Sequence, residues 1–351
     1  MMTKWWRFIA FSLLFVLPIV FSAYGAPGSP SLERPKDVKL NIVGFQVGTS
    51  MQFRAELIGE ALRKEYPDWN IKVVSTGKGT MDVQRHIREK TAQFILSMGP
   101  WKCEVEAYTP AYRQQGIDFE KEFLWLPVIP SNNKAVHFFV LTNTGFTSVK
   151  DVIDKKYPLK VGYSAPIHDP LFKRIIEFYG ATWENIKSWG GGLVNVSFGA
   201  PEGPSMMSAG KINAGFAWTG VPNAPFLEGA ASINWRQLPL AEEDQLLKKL
   251  NEIGFFRVVI PAKTYPWLKK DLVTVAQTEW LSAIPGTLLK DSNIIYWVTK
   301  GVWNQRKYLI SGFGEFADVL DPNFISDGLK LLANPAHPEA LRFYKEQGWI
   351  K

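Results

Sequence analysis

The chain has 351 residues, 46% of them hydrophobic and 14% aromatic, which is enough material for two globular domains. Its formal net charge is +7, but the basic residues are scattered rather than grouped in runs, which excludes nucleic acid as an expected partner. A single cysteine, Cys103, excludes an internal disulfide, so burial of apolar surface must hold the fold together.

The first 25 residues have the order of a secretory signal peptide. Two basic residues precede an apolar run over residues 8–21, and the small-x-small sequence 23–25 follows. The run is shorter than a membrane span and contains a proline, which disfavours the alternative of an uncleaved anchor. Because the only cysteine lies far downstream, no lipid anchor can follow the cleavage site. We therefore expect a periplasmic protein that begins near Ala26 and is released by cleavage.

A tether is expected over residues 26–38, after which apolar runs alternate with helical patterns, as in α/β proteins. The pattern predicts strands over 39–45, 70–76, 93–98, 135–142, 159–163, 194–198, 212–218 and 255–261. It predicts helices over 53–62, 81–90, 170–179 and 204–209, one after Pro222, and then 272–284, 294–310 and 336–349.

This order predicts two α/β lobes with a hinge and a helical C-terminal wrap, which is the type II-like fold of extracytoplasmic solute-binding proteins. The first lobe is expected to combine residues 39–140 with 255–351, and the second to span 147–253. The strands over 135–142 and 255–261 are the expected crossings between the lobes.

Short motifs along the chain carry a family resemblance. They are Lys160-Val-Gly162, Ser208-Ala-Gly-Lys-Ile-Asn-Ala-Gly215, Gly220-Val-Pro222, Ile260-Pro-Ala-Lys-Thr-Tyr265, Tyr296-Trp-Val-Thr-Lys300 and the closing segment 334–348 with its His-Pro pair. In this order they resemble the TAXI family, the substrate-binding subunits of one branch of tripartite ATP-independent periplasmic (TRAP) transporters. The resemblance implies a receptor that binds a small organic anion, such as glutamate, another dicarboxylate or a related oxo-acid. It also implies delivery to a TRAP membrane permease, with no catalysis and no cofactor.

Two turns depart from the pattern of that family. The turn over 46–50 is poorer in glycine than the corresponding family turn. Residues 163–170 read Tyr-Ser-Ala-Pro-Ile-His-Asp-Pro, where the family has a turn rich in glycine and serine. The ligands of the family therefore do not transfer directly to this chain.

Three turns at predicted strand ends, 48–50, 76–80 and 163–164, are candidate anion sites. Helix N-termini at such places present unpaired backbone N–H groups to a ligand. The side chains expected to contact the ligand here are Thr49, Ser50, Thr80, Tyr163 and Ser164. The hydroxyl residues of the set fit equally well as ordinary helix caps.

Four more residues are candidates for ligand binding, and each also has a purely structural interpretation. Trp218 and Thr219 end a strand, where the indole ring could form a wall of the cleft, although a lone Trp is more often part of a core. His137 is a weaker ligand candidate, since a strand histidine is more often satisfied within the core. Asp169, which follows His168 and precedes a proline, could contact the ligand or cap a helix.

Other functions compete with this interpretation. A hydrolase is disfavoured because the segment 162–166 has Pro166 where a nucleophile elbow needs glycine. The four histidines lack the spacing of a metal site. A receptor for an ABC transporter or a sensor kinase, or one specific for an aromatic acid, remains an alternative. The sequence leaves the oligomeric state open, with a monomer as the expectation.

Overall fold

The computed structural model describes residues 33–77, 80–97, 99–288, 293–332 and 334–351. The predicted signal peptide and the first part of the predicted tether lie outside these residues. Residues 33–38 contact the body of the protein through an Arg34–Asp68 ion pair of 2.7 Å and a 2.9 Å hydrogen bond from the Trp69 indole to the Pro35 carbonyl. Within the described ranges, no helix combines the length and the apolar character that crossing a bilayer requires.

Ten strands are found in the described residues. They are β1 Lys39–Val43, β2 Asn70–Val74, β3 Phe94–Leu96, β4 Leu126–Leu141, β5 Lys160–Tyr163, β6 Gly192–Asn195, β7 Ala214–Thr219, β8 Trp235–Gln237, β9 Phe256–Ile260 and β10 Leu272–Ala283.

The same residues form fifteen α-helices. The first ten are α1 Ser50–Glu65, α2 Thr80–Arg88, α3 Trp101–Arg113, α4 Phe119–Glu122, α5 Val149–Asp154, α6 Asp169–Phe178, α7 Trp183–Ser188, α8 Glu202–Ser208, α9 Ala224–Gly229 and α10 Asp244–Asn251. The C-terminal five are α11 Asn293–Asn304, α12 Arg306–Gly312, α13 Phe316–Val319, α14 Pro322–Lys330 and α15 Pro338–Glu346.

Two long antiparallel strands, β4 and β10, join two α/β lobes. On one side the strand order is β2-β1-β3-β10-β4, with β1 parallel to both of its neighbours. On the other side it is β4-β7-β5-β6, with β5 parallel to both of its neighbours, while β8 pairs with β4 and β9 with β10. The end of β10 at 281–283 pairs with β3, whereas its beginning at 272–276 pairs with β9. Each long strand therefore gives one half to each lobe.

The helix predicted over 272–284 is wrong, because this segment is β10. Nearly every residue of the strand is buried, so its sequence lacks the apolar–polar alternation that marks a half-exposed strand. The chain therefore returns to the first lobe through β10. β9, the strand predicted to make this return, pairs with β10 alone. The helix predicted over 294–310 is divided into α11 and α12, and β4 begins at Leu126 rather than at 135. Each of the other predicted strands overlaps an observed one.

Helix α1 follows the first strand and covers one face of the first lobe. Thr49 is its N-cap, and the Thr49 hydroxyl accepts a 3.3 Å hydrogen bond from the Gln52 backbone N–H. The buried side chains of Ala55, Ile58 and Leu62 pack in one core cluster with side chains of α11, α12 and α15. This packing places the first turn of α1 at the carboxyl end of β1.

The C-terminal helices hold the start of β4 in place. The Asn334 side chain donates to the Trp125 carbonyl at 2.7 Å, and the His337 backbone N–H donates to the Pro127 carbonyl at 2.8 Å. The buried Tyr344 hydroxyl donates to the Val128 carbonyl. The closing helix α15 is thus bonded directly to one of the two connecting strands.

Candidate binding site between the lobes

The middle of the β4–β10 ladder carries polar side chains on one face. Asn132 lies opposite Glu279, and Lys134 lies opposite Gln277. Because alternate residues of a strand share a face, these four side chains point the same way. Asn132, Gln277 and Glu279 are at most 1% exposed. Burying polar groups in this number is costly unless they are paired or serve a ligand.

Arg54 of α1 meets this polar face. Its guanidinium contacts one carboxylate oxygen of Glu279, while the Lys134 ammonium lies 2.6 Å from the other. The side chains of Arg54 and Glu279 are completely buried, and that of Lys134 is 13% exposed. Two cations therefore share this one carboxylate in a region with little solvent.

Glu315 brings a second carboxylate to the cluster and touches the other lobe. It immediately precedes α13, and a Cβ atom built on Gly220 would lie 2.9 Å from one of its carboxylate oxygens. Gly220 follows β7, so the absence of a side chain there allows the two lobes to approach. Burial raises the pKa of the Glu315 carboxyl, the positive charge of Arg54 opposes this, and the negative charge of Glu279 adds to it. Four charged groups from four segments thus interact at the junction of the lobes.

Several nitrogen donors of this cluster have no hydrogen-bond partner among the described residues. They are Nε and Nη1 of Arg54, Nδ2 of Asn132 and Nε2 of Gln277. An unsatisfied buried donor costs about 1–3 kcal/mol, and more when it is charged. Two acceptor oxygens of the cluster, Oε1 of Gln277 and Oε2 of Glu315, also have no partner among these residues, so the arrangement is suited to a ligand that brings oxygen acceptors together with a hydrogen-bond donor.

Trp218 and His168 form an aromatic wall in the second lobe. Trp218 lies opposite Val136 in the ladder, so it shares the face of Lys134. Its ring centroid is 4.2 Å from that of His168. His168 is 6% exposed, its Nδ1 has no partner among the described residues, and burial, followed by the charge of Lys134, lowers its pKa to about 3. A neutral imidazole with one nitrogen available therefore lies beside the charged face.

The turn at the carboxyl end of β5 is ordered by a side-chain pair. The Tyr163 hydroxyl donates to the Asp169 carboxylate at 2.5 Å, and burial raises the pKa of both groups. The residue at the N-cap of α6 is His168, so Asp169 does not occupy the cap position. The Ser164 carbonyl accepts a 3.2 Å hydrogen bond from the His168 backbone N–H. Asp169 is thus engaged within its own lobe.

The predicted hydroxyl residues of the first lobe lie at the ends of β1 and β2, which are parallel and adjacent. Thr49 caps α1 and donates to the Gln46 carbonyl at 2.7 Å, and Ser50 is exposed in the first turn. The Thr80 hydroxyl is hydrogen-bonded to Tyr108. The Gln46 side chain ties the two turns together by donating to the Gly77 carbonyl at 3.3 Å.

His137 and Thr219 lie on the opposite face of the ladder. The two ring nitrogens of His137 are 3.0 Å from the Ala135 carbonyl and 3.0 Å from the Tyr265 hydroxyl. The Thr219 hydroxyl accepts from the Asn223 amide at 2.9 Å. His137 therefore has no free ring nitrogen to offer a ligand.

Sequence reasoning missed the charged residues that the structure assembles, namely Arg54, Lys134, Glu279 and Glu315. Arg54 is three residues after Met51 and four before Ile58, so it stands on the apolar side of α1, which is an unusual position for a charge. Lys134 and Glu279 lie in short polar stretches, 131–134 and 277–279, between apolar ones. A charged residue inside an apolar pattern was the available signal.

The chain is similar to known proteins over most of its length. The model of the NMT1-like family matches residues 53–348. A TctC solute-binding protein from Polaromonas is 13% identical, with 89% of this chain and 97% of that chain covered and a TM-score of 0.45. The glycine betaine/L-proline-binding protein ProX from Borrelia burgdorferi is 10% identical, with 87% of this chain and 99% of that chain covered and a TM-score of 0.43. XAC2383 from Xanthomonas citri, solved bound to ATP, is 8% identical, with 88% of this chain and 98% of that chain covered and a TM-score of 0.49.

Proposed function

Because the chain belongs to the NMT1-like family and folds into two lobes around a buried cluster of charged residues, we propose that it is an extracytoplasmic solute receptor for a small organic anion. The proposed ligand lies between the lobes, against Arg54 and Lys134. The observation that carries the proposal is Arg54, whose guanidinium is completely buried and keeps two nitrogens without a partner among the described residues.

A carboxylate matches the guanidinium in charge and geometry. The planar fork of Arg can give two parallel hydrogen bonds to the two oxygens of a carboxylate. Glu279 already contacts Nη2, which belongs to both two-donor edges of the guanidinium, so Nε and Nη1 remain as two separate donors, each able to hold an oxygen acceptor. Amide donors of Asn132 and Gln277 could hold a second oxygen-bearing group of the same ligand.

Access to the cluster requires the lobes to separate. The polar face is buried, and Glu315 and Gly220 close it from opposite lobes. We infer that an open form admits the ligand and that the ligand favours the closed form by contacting both lobes. Thr49, Ser50 and Thr80 would contribute from the first lobe, and Tyr163, Ser164, Asp169 and Trp218 would line the second, whereas Thr219 faces away from the cluster.

The finer assignment, a TAXI-type receptor that serves a TRAP permease, is supported by the motifs of the sequence. Its alternatives are an ABC transporter or a sensor kinase as the membrane partner. Uptake measured in cells distinguishes them: a TRAP partner gives receptor-dependent uptake that collapses with the ion gradient while ATP is maintained. Uptake that follows ATP instead would assign the receptor to an ABC transporter.

The first test is thermal melting of the purified protein with amino acids, dicarboxylates, oxo-acids and aromatic acids. A ligand at 100 times its Kd stabilises the folded state by about 2.7 kcal/mol. We expect one class of anion to give a shift that depends on Arg54. Melting that is unchanged by every compound in the panel would contradict the proposal.

The second test removes the guanidinium. Arg54→Met should weaken the anion found in the panel by about 10- to 100-fold, because a hydrogen bond to a charged group contributes about 1.5–3 kcal/mol. Arg54→Lys keeps the positive charge but loses the planar set of guanidinium N–H donors, so this variant should bind the anion with intermediate affinity. Arg85→Met, at an exposed arginine of α2, is the matched control. Equal affinity in all three variants, measured by calorimetry on folded protein, would place the anion elsewhere.

A further inference from the structure

A second groove lies in the second lobe, away from the polar middle of the connecting strands. It has a volume of about 690 Å³, within the usual range of ligand pockets, and is lined by β8, the segment before α5 and the loop between β9 and β10. Gln237 of this groove lies opposite Phe139 in β4, five residues beyond Lys134, which is about 17 Å along the strand. The groove is therefore separate from the charged cluster between the lobes.

Three buried polar groups that line the groove have no partner among the described residues. Gln237 is 4% exposed and both atoms of its amide are unpaired. The indole N–H groups of Trp235 and Trp267 are also unpaired. Each unsatisfied group costs about 1–3 kcal/mol, so an apolar side chain at 237 would stabilise the fold better than glutamine does. This cost is the sign of a binding role.

The surroundings of Gln237 are aromatic. Its strand neighbour Trp235 stacks on Phe139 with 4.7 Å between the ring centroids, and Trp267 lies 5.7 Å from Trp235. Trp267 belongs to the loop between β9 and β10 and is only partly buried. A shift of this side chain would open the amide to a ligand and present an indole face to it.

The charged groups of the groove favour an anion. Its basic residues are Arg236, Lys269 and Lys270, against the acidic Glu242 and Asp271. Arg236 donates to the Phe146 carbonyl at 2.8 Å, Lys269 donates to the Pro266 carbonyl at 3.0 Å, and the Asp271 carboxylate accepts from the Ala262 backbone N–H at 2.9 Å, so the basic residues exceed the acidic ones by one charge. Lys269 and Lys270 are both exposed at the rim. Positive charge therefore surrounds a set of three N–H donors.

We propose that this groove is a second binding site, for a small aromatic carboxylate. The planar ring of the ligand lies on the indole of Trp267, because aromatic rings prefer offset or edge contacts with one another. Its carboxylate accepts hydrogen bonds from the Gln237 amide and the Trp235 indole N–H, and Lys270 adds long-range attraction. This inference does not depend on the ligand between the lobes.

The test is calorimetric titration of the full-length mature protein with benzoate, with cyclohexanecarboxylate and benzyl alcohol as matched probes. We expect benzoate to bind more tightly than either, since one probe lacks the aromatic ring and the other the charge. Gln237→Met should weaken benzoate at least tenfold, and Lys270→Ala, an exposed position that leaves the fold intact, should weaken it two- to fivefold. Arg54→Met should leave its affinity unchanged.

Each of three results would overturn the second site. The first is that benzoate does not bind. The second is that it binds with equal affinity to the wild type, Gln237→Met and Lys270→Ala. The third is that its affinity falls in Arg54→Met, which would place benzoate between the lobes. Circular dichroism of each variant before titration ensures that a loss of binding is not a loss of folding. A failure here leaves the proposed solute receptor standing, because that proposal is tested by the anion panel.

Discussion

The two faces of β4 treat buried ionisable side chains differently. On one face His137 has a partner at each ring nitrogen, both within 3.0 Å. On the other face Lys134 and Glu279 meet Arg54, which keeps two nitrogens without a partner among the described residues. Both environments are dry, so the difference lies in the completeness of the hydrogen bonding. A completed network belongs to the fold, whereas an incomplete one is available to a ligand.

The largest effect is expected from removing the shared carboxylate. Glu279→Gln removes the carboxylate that Arg54 and Lys134 both contact, and breaking a buried pair typically costs about 3–5 kcal/mol. Urea unfolding followed by tryptophan fluorescence measures this loss. The matched control is Asp327→Asn, which removes an exposed pair with Lys330 and should cost less than about 1 kcal/mol. Similar losses in the two variants would mean that solvent screens the Arg54 cluster.

An intermediate effect is expected from pH at His137. Burial lowers the pKa of this histidine to about 3, whereas an unfolded histidine has a pKa of about 6.5. Between these values the unfolded chain binds a proton that the folded protein does not, so stability falls as the pH is lowered. From pH 6.5 to 5 this single group removes about 2 kcal/mol.

His137→Gln isolates that contribution, because glutamine keeps one donor and one acceptor but does not titrate. Unfolding free energies at pH 7 and pH 5 should differ by about 2 kcal/mol less in the variant than in the wild type. His86→Gln, at a partly exposed histidine, is the control and should change the pH dependence less. An unaltered pH dependence in His137→Gln would show that the imidazole is hydrated.

The smallest effect is expected from the ion pair between α6 and α3. Arg174 contacts both carboxylate oxygens of Glu106, at 2.6 and 2.7 Å, with both side chains partly exposed. A double-mutant cycle of Arg174→Met and Glu106→Gln should give a coupling of about 0.2–1 kcal/mol that decreases with salt. A coupling free energy as large as that of the buried cluster would mean that exposed and buried ion pairs do not differ in this protein.

Much of the fold could be predicted from the sequence because its local patterns agree with its final environment. Strands such as β1 and β5 are short apolar runs that end at turns, and α6 begins just before a proline. β10 could not be recognised in the same way, because it is covered on both faces and its run of 12 residues has the length of a helix. Its β-branched residues at 273–275 were the weaker, correct signal.

The candidate site was harder to predict because its members meet only after folding. The turns at 48–50 and 163–164 could be proposed from helix N-termini, which are local features. The ion pair between Arg54 and Glu279 joins residues separated by 225 positions. A single charge in an apolar pattern shows that something is unusual, but its partner is defined by the pairing of β4 with β10. The ligand role of the predicted residues stays a prediction.

The bonds between the closing segment and β4 have a consequence for the biosynthesis of the protein. Those from Asn334 and Tyr344 span 209 and 216 positions, so the ribosome adds these residues long after β4 has emerged. The β10 partner of β4 is also made late. Contacts of such long range slow folding, because loop closure must precede the contacts that reward it. The second half of β4 can pair with β7 and β8 as soon as they are made, whereas its first half waits for β10 and the closing segment until synthesis is nearly complete.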